Sequence, residues 1–276
     1  LNEHLPEIAT VFTLHSTVVG GARAAAGDVL ARNMDSVPVT DMASKLGVTA
    51  KHSIEVAASV QADCLTAVSD VVADEAVRFL GREPRVMLPN GLDMDSIPDC
   101  LDELEKRDAC RGTFLQFASK FLQKELRSDE TALFLVSGRY DYENKGIGLA
   151  LESLKSLNDS LPQEPAGRNI VALFAMISSH LGVSSQVRRI VSGEEGIARS
   201  GITRICTHQL SDPQHDPIWK RCDALNLLNG PDDRVHIIFM PVCLDGYDGL
   251  LNLAYEDVLQ ACDLGVFPSV YEPWGY

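Results

Sequence analysis

Arg139 and Lys145 lie six residues apart in a polar loop, and the residues around them read as strand, loop and helix. The strand is the apolar run Leu133 to Val136. The helix begins near Asn144 to Gly146 and repeats apolar residues at Ile147, Leu151, Leu154 and Leu157. A helix start offers unpaired backbone N–H groups and a partial positive charge. Two cations beside it make a site for a phosphate or diphosphate. The competing reading is a pair of solvated loop cations, the default for surface charge. Three more residues stand where a strand or loop gives way to the next element. His15 follows the strand Ile8 to Leu14, Tyr255 opens a helix after the Gly- and Asp-rich loop 244–253, and Glu272 lies in the loop after the strand Leu264 to Pro268. Ligands of open α/β sheets gather beyond the carboxyl ends of strands. Each residue also has a plainer role open to it: His15 capping a turn, Tyr255 packed on a sheet, Glu272 a surface acid before Pro273.

The elements that must position these residues alternate. Strands are expected at 8–14, 62–68, 85–88, 133–136, 169–178, 235–242 and 264–268, with helical patterns between most of them. That alternation is the signature of parallel sheets covered on both faces. Lys51 to Gln61 reads as a helix with Ile54, Ala57, Ala58 and Gln61 on one face. Ser69 reads as an N-cap and Gly81 as the stop of a helix buried through Val72, Ala76, Phe79 and Leu80. Pro89 to Ile97, with an Asn-Gly step, two flanking prolines and three Asp, is turn chemistry and marks a domain boundary. Leu101 to Arg127 reads as one long helix with Leu104, Phe114, Phe117, Phe121 and Leu122 as core. The region 183–231 has no dominant period and reads as a polar insertion. Within it His208, Asp212, His215 and Asp216 match no zinc spacing, so no metal site is expected.

Composition narrows the function classes. A net charge of −15 and a pI of 4.8 argue against a nucleic-acid groove or an anionic membrane surface. An anionic small molecule would need a local basic cluster. No run of 18 apolar residues and no signal peptide is present, so no membrane association is expected. Seven cysteines without a C-x-x-C pair suggest reduced thiols and a cytoplasmic protein. A chain that opens on Leu1 and stops at Tyr276 reads as an internal fragment.

The stretch SGRYDYENKG at 137–146 resembles the donor-phosphate loop of the glycogen synthases, family 3 glycosyltransferases, and GVFPSVYEPWGY at 265–276 resembles that family's second signature. FTLHSTVVGG, ADCLTAVS and VMLPNGLD fall in the family's order. The resemblance implies a GT-B type α/β fold: two Rossmann-like domains with parallel sheets facing across a cleft. Residues 1–97 would be the carboxy-terminal portion of a first, acceptor-side domain that is only partly present. Residues 98–276 would be a truncated nucleotide-sugar donor domain. The implied activity is retaining transfer of glucose from UDP-glucose to the non-reducing end of an α-1,4-glucan such as glycogen. Another retaining transferase with a different acceptor, or an inactive glucan- or nucleotide-binding paralogue, are the alternatives. Arg139 and Lys145 would neutralise the leaving diphosphate, with no metal or other cofactor required. His15 and Glu272 would hold the glucose, Tyr255 would stack on uracil, and the backbone amides of Trp274 and Gly275 would help hold the sugar. Asn90 would line the cleft or serve as a simple turn residue. The family has an Arg just after the glycine where Gly21 stands here, with Arg23 two further on. Glu272 would be the first acid of an E-x7-E pair whose second member falls past Tyr276, so this stretch alone is expected to be inactive. A homo-oligomer is also implied, with subunit contacts in the 183–231 region.

Overall fold

The computed structural model describes residues 8–27, 37–94, 104–161, 168–194 and 196–275. The chain divides into two units, one of Leu1–Met94 with Ser269–Tyr276 and one of Asp95–Pro268. Ser269–Tyr276 therefore groups with the first unit, whereas the sequence pattern assigns it to the second domain.

The first unit carries a parallel sheet of β1 (Val11–Leu14), β2 (Cys64–Ala67) and β3 (Val86–Met87), in that order. Leu14, Leu65, Ala67 and Val68 bury against α1 (Val18–Ala25), α2 (Val39–Lys45) and α4 (Asp70–Glu75). Ser69 caps α4 by accepting from the Val72 N–H. The helix then loosens into a π-turn at Ala76–Leu80 and stops at Gly81, whose φ of +70° suits glycine. Val72, Ala76, Phe79 and Leu80 are its buried stripe, as expected.

The helix α3 (Thr49–Gln61) is turned the other way from what its apolar residues suggest. Ile54 is 71% exposed, and Ala57 and Gln61 are exposed too, while His52, Glu55 and Ser59 are buried. Hydrogen bonds set this rotation. Glu55 accepts the Val18 N–H at the start of α1 with both oxygens (3.1 and 3.2 Å), and the Arg82 guanidinium binds the Ser59 and Ala62 carbonyls. A polar face that completes such bonds can lie inward, because an unpaired buried N–H is costlier than an exposed isoleucine.

The second unit is a doubly wound sheet, all parallel, in the order β8-β5-β4-β9. Here β4 is Thr131–Ser137, β5 is Asn169–Ala175, β8 is Val235–Met240 and β9 is Leu264–Gly265. Side chains alternate between two cores. Leu133, Leu135, Val171, Leu173, Ile238 and Met240 face α5 (Leu104–Leu122) and α9 (Tyr255–Ala261). Val136, Ile170, Phe174, Ile237 and Phe239 face α6 (Ile147–Ser160) and α8 (Pro217–Ala224). Strands buried on both faces explain the unbroken apolar runs in the sequence. Each fully buried Leu, Ile or Phe contributes about 1.5–3 kcal/mol. Leu104, expected in the core, is 58% exposed.

The region 183–231 is not a polar insertion. Ile205, Cys206, Leu210, Ile218, Cys222, Leu227 and Leu228 are buried in the second core, and Cys206 extends the sheet by a parallel bridge to Phe239. Its polar residues are spaced by short elements, including α7 (Ser185–Val191) and the antiparallel pair β6 (His180–Val183) and β7 (His208–Leu210). No single period therefore shows in the sequence.

One buried cation holds the sheet edge. Arg111, at 7% exposure, donates to the Ser128 side chain (3.0 Å), the Ser128, Thr131 and Ala261 carbonyls, and Asp263 (2.9 Å). Asp263 also accepts the Leu133 N–H at 2.8 Å. This fully satisfied guanidinium ties α5 and the end of α9 to β4, and so seats the short strand β9 beside it.

Candidate functional site

The order of strands reverses between β4 and β9. From β4 the chain moves through α6 to β5 on one side, and later returns through α9 to β9 on the other. The carboxyl ends of such a pair frame the crevice where open α/β sheets take ligands. The loop after β4 carries Arg139 and Lys145.

That loop is shaped by backbone. Asp141 N–H donates to the Arg139 carbonyl (2.7 Å), Lys145 N–H to the Asp141 carbonyl (2.9 Å) and Ile147 N–H to the Tyr142 carbonyl (3.1 Å). Gly146 is the N-cap of α6, with φ +61° and no side chain to cap the helix. A Cβ on Gly146 would sit 2.0 Å from the Pro268 carbonyl oxygen, so the chain after β9 presses directly on the start of α6. Only glycine meets both demands. Gly138 has φ +144°, and a Cβ there would meet the Lys145 Cδ and Cε at 3.7 Å. The lysine stem thus folds back along the residue that precedes Arg139.

Aromatic anchors fix the rest. The Tyr140 hydroxyl donates to Asp216 at 2.6 Å, and its ring meets Phe239 edge-on at 5.7 Å. Burial, then the Asp216 carboxylate, push the Tyr140 phenol far above its ordinary value, so it stays a donor. Tyr142 lies over Gly148 in the first turn of α6. Arg139 is exposed between these anchored neighbours, and Lys145 is half-buried. Tyr255, at the start of α9, is 36% exposed, and its hydroxyl is 3.0 Å from the Ser137 hydroxyl at the end of β4. The structure therefore brings Tyr255 to the same sheet end as the two cations.

The other expected residues belong to the first unit. His15 is exposed just past β1, Asn90 is half-buried after β3, and Glu272 and Gly275 are exposed. Trp274 packs its ring on the first unit's core, a side-chain role beyond the backbone N–H expected of it. Arg23 is buried, at 5% exposure, in the last turn of α1.

The four His and Asp residues weighed for a metal do other work. Asp216 caps α8 through the Trp219 N–H (2.8 Å) and His215 pairs with Asp212. His208 stacks edge-on against His180 at 4.7 Å, with the Thr207 hydroxyl 2.8 Å from its Nδ1. Among the described residues no group of three metal-ligating side chains converges.

Sequence reasoning missed a carboxylate cluster in the first unit. Glu75 Oε2 accepts from the Thr17 hydroxyl (2.6 Å) and the Tyr271 hydroxyl (2.7 Å), while Glu55 accepts from Val18 N–H. Residues 17, 55, 75 and 271 share no spacing that a motif could reveal. The local signal available was the Gly20-Gly21 pair, which leaves room for these side chains.

A family model described as glycogen synthase matches residues 2–192 and 184–276. The chain is 30% identical over 335 residues to glycogen (starch) synthase isoform 1 of Saccharomyces cerevisiae, covering 98% of this chain and 46% of that protein. It is 30% identical over 323 residues to glycogen (starch) synthase of Caenorhabditis elegans, with 98% and 48% covered. It is 29% identical over 318 residues to the liver glycogen (starch) synthase of Mus musculus, with 98% and 45% covered. The chain thus spans a little under half the length of these relatives.

Proposed function

Because this chain belongs to the glycogen synthase family, we propose that it carries the donor-handling residues of a retaining glucosyltransferase. The enzyme would move glucose from UDP-glucose to the non-reducing end of an α-1,4-glucan. The observation that carries this reading is the β4–α6 loop: two cations and a helix start at the point where strand order reverses, with Pro268 closing against Gly146.

The chemistry follows from charge. Breaking the C1–O bond puts negative charge on the departing diphosphate and positive charge on the sugar ring. Arg139 and Lys145 neutralise the first as it develops, held in place beforehand by the Gly138, Tyr140 and Gly146 geometry. Tyr255 stacks on the uracil; aromatic–base stacking contributes about 1–3 kcal/mol. His15, Glu272 and the amides of Trp274 and Gly275 act on the glucose, which they orient for attack by the acceptor hydroxyl on the leaving-group face. With two side-chain cations on the diphosphate, no metal is assigned to this step. Free thiols at the described cysteines support a reducing compartment such as the cytoplasm. Among the described residues no helix is long and apolar enough to cross a membrane. A homo-oligomer is supported by the family resemblance alone.

The test uses the full-length protein. Arg139→Ala and Lys145→Ala should each lower turnover about 10²–10³-fold, the effect of losing one charge-stabilising group, with melting temperature unchanged. Chelation with EDTA should leave wild-type turnover as it was. Wild-type rates in both variants reject the phosphate site. UDP binding without turnover in the wild type marks a non-catalytic nucleotide-binding homologue.

A further inference from the structure

We propose that Glu75 is a positioning residue that locks together the two sugar-facing loops of the first unit. One is the β1–α1 turn that carries His15, and the other is the 269–275 segment that carries Glu272. The sugar roles of His15 and Glu272 rest on the function proposed above; the lock rests on geometry within one unit.

Glu75 ends α4 and reaches across to the start of α1. A single oxygen, Oε2, takes both the Thr17 hydroxyl at 2.6 Å and the Tyr271 hydroxyl at 2.7 Å. Those distances are typical of O–H donors on a carboxylate, which bind about twice as strongly as neutral pairs. The Tyr271 oxygen in turn accepts the Thr17 N–H at 3.4 Å, closing a three-membered ring of contacts. Burial, then the Glu75 carboxylate, push the Tyr271 phenol well above its ordinary value, so it remains protonated and donating. Thr17 is 1% exposed and sits two residues after His15; Tyr271 immediately precedes Glu272.

The glycines fit this role. A Cβ on Gly20 would lie 2.4 Å from Glu75 Oε1, so a side chain there would displace the carboxylate. A Cβ on Gly21 would be 3.7 Å from the Tyr271 ring, which therefore lies across the first turn of α1. Glu55 holds the same turn through the Val18 N–H. A helix start tolerates two carboxylates because its partial charge is positive. Moving Glu75 would shift both loops at once, and a displacement of about 1 Å in a reacting group can cost about 10²-fold in rate.

The experiment takes Glu75→Gln, Tyr271→Phe and Gly20→Ala in the full-length protein. Each should lower kcat about 10- to 100-fold. The UDP-glucose KM should change by less than about 3-fold, because the nucleotide is assigned to the second unit. The double variant Glu75→Gln/Tyr271→Phe should lose no more than the worse single variant, since both break one ring. Amide hydrogen exchange should rise at 17–21 and at 270–275 together in Glu75→Gln, with α5 and β4 unchanged. That arm reads the lock without any turnover. If Arg139→Ala and Lys145→Ala keep wild-type rates, the phosphate site fails while the paired exchange response still decides the lock. Exchange rising in only one loop overturns the lock, as do losses that multiply in the double variant or wild-type kcat in Glu75→Gln beside a crippled Arg139→Ala.

Discussion

The two loops that this chain offers for chemistry are made from opposite materials. After β4 the loop carries the two cations alongside two acids, Asp141 and Glu143, and its shape comes from glycine backbone and a carbonyl contact with Pro268. After β1 the turn is held by two carboxylates that arrive from α3 and α4, and by a tyrosine from residue 271. The first is a contiguous stretch whose turn is set by its own backbone and then braced by the remote Pro268 and Asp216. The second exists only because distant segments meet. A site of the first kind should be broken by backbone changes, and one of the second by removal of a hydrogen-bonding group.

The sharpest break of that contrast is Gly146→Ala. A left-handed φ disfavours Ala by about 1–2 kcal/mol. The added Cβ would also strike the Pro268 oxygen at 2.0 Å. The expected loss is above about 4 kcal/mol, the range reserved for backbone or core disruption. Thermal melting and UDP titration measure it, and a melt within 2 °C of wild type would mean the loop does not need this geometry.

Falling and rising pH should act on different units. Burial, then the charge of His180, hold His208 down to about 4, against the pull of Asp248. A histidine depressed in the folded state adds stability above its unfolded value near 6.5 and loses it as pH falls toward 4. Denaturation at pH 7, 5.5 and 4.5 should show wild type losing on the order of 2–3 kcal/mol relative to His208→Asn. Glu55 behaves in reverse. Burial raises its carboxyl against the Val18 hydrogen bond, and Glu75 adds to the rise. Its contribution is full below the ordinary Glu value and fades as pH climbs through the raised one, so Glu55→Gln should gain on wild type as pH rises. Parallel curves for wild type and either variant would remove that residue from the account.

The smallest effect belongs to Ile54→Ser on α3. At 71% exposure the side chain contributes little, and the change should stay within about 0.5 kcal/mol. A loss near 2 kcal/mol in the full-length protein would mean that a further segment covers this helix face.

Much of the second unit was legible from sequence because its strands are buried on both sides. Leu133 to Val136, Ile170 to Ala175 and Ile237 to Met240 are apolar throughout, and an unbroken apolar run is at home in the centre of a parallel sheet. The caps were legible for a similar reason: Ser69 and Gly81 act within their own turn. The errors fall where a hydrogen bond to a remote partner outweighs hydrophobic pattern. Glu55 turns α3 inside out to satisfy Val18, and polar residues between short elements hid the buried Ile205, Cys206, Ile218 and Cys222.

By itself the sequence determined the alternation of strand and helix, the cation pair Arg139 and Lys145, and the helix start beside them. These depend on periodicity, charge and φ, which are properties of neighbouring residues. Only the tertiary structure decided that Pro268 would close on Gly146, that Tyr255 would stand beside Ser137, and that Thr17, Glu75 and Tyr271 would share one carboxylate oxygen. Those contacts join residues up to 254 apart, and no local spacing encodes which distant chain segment folding will bring to a given turn.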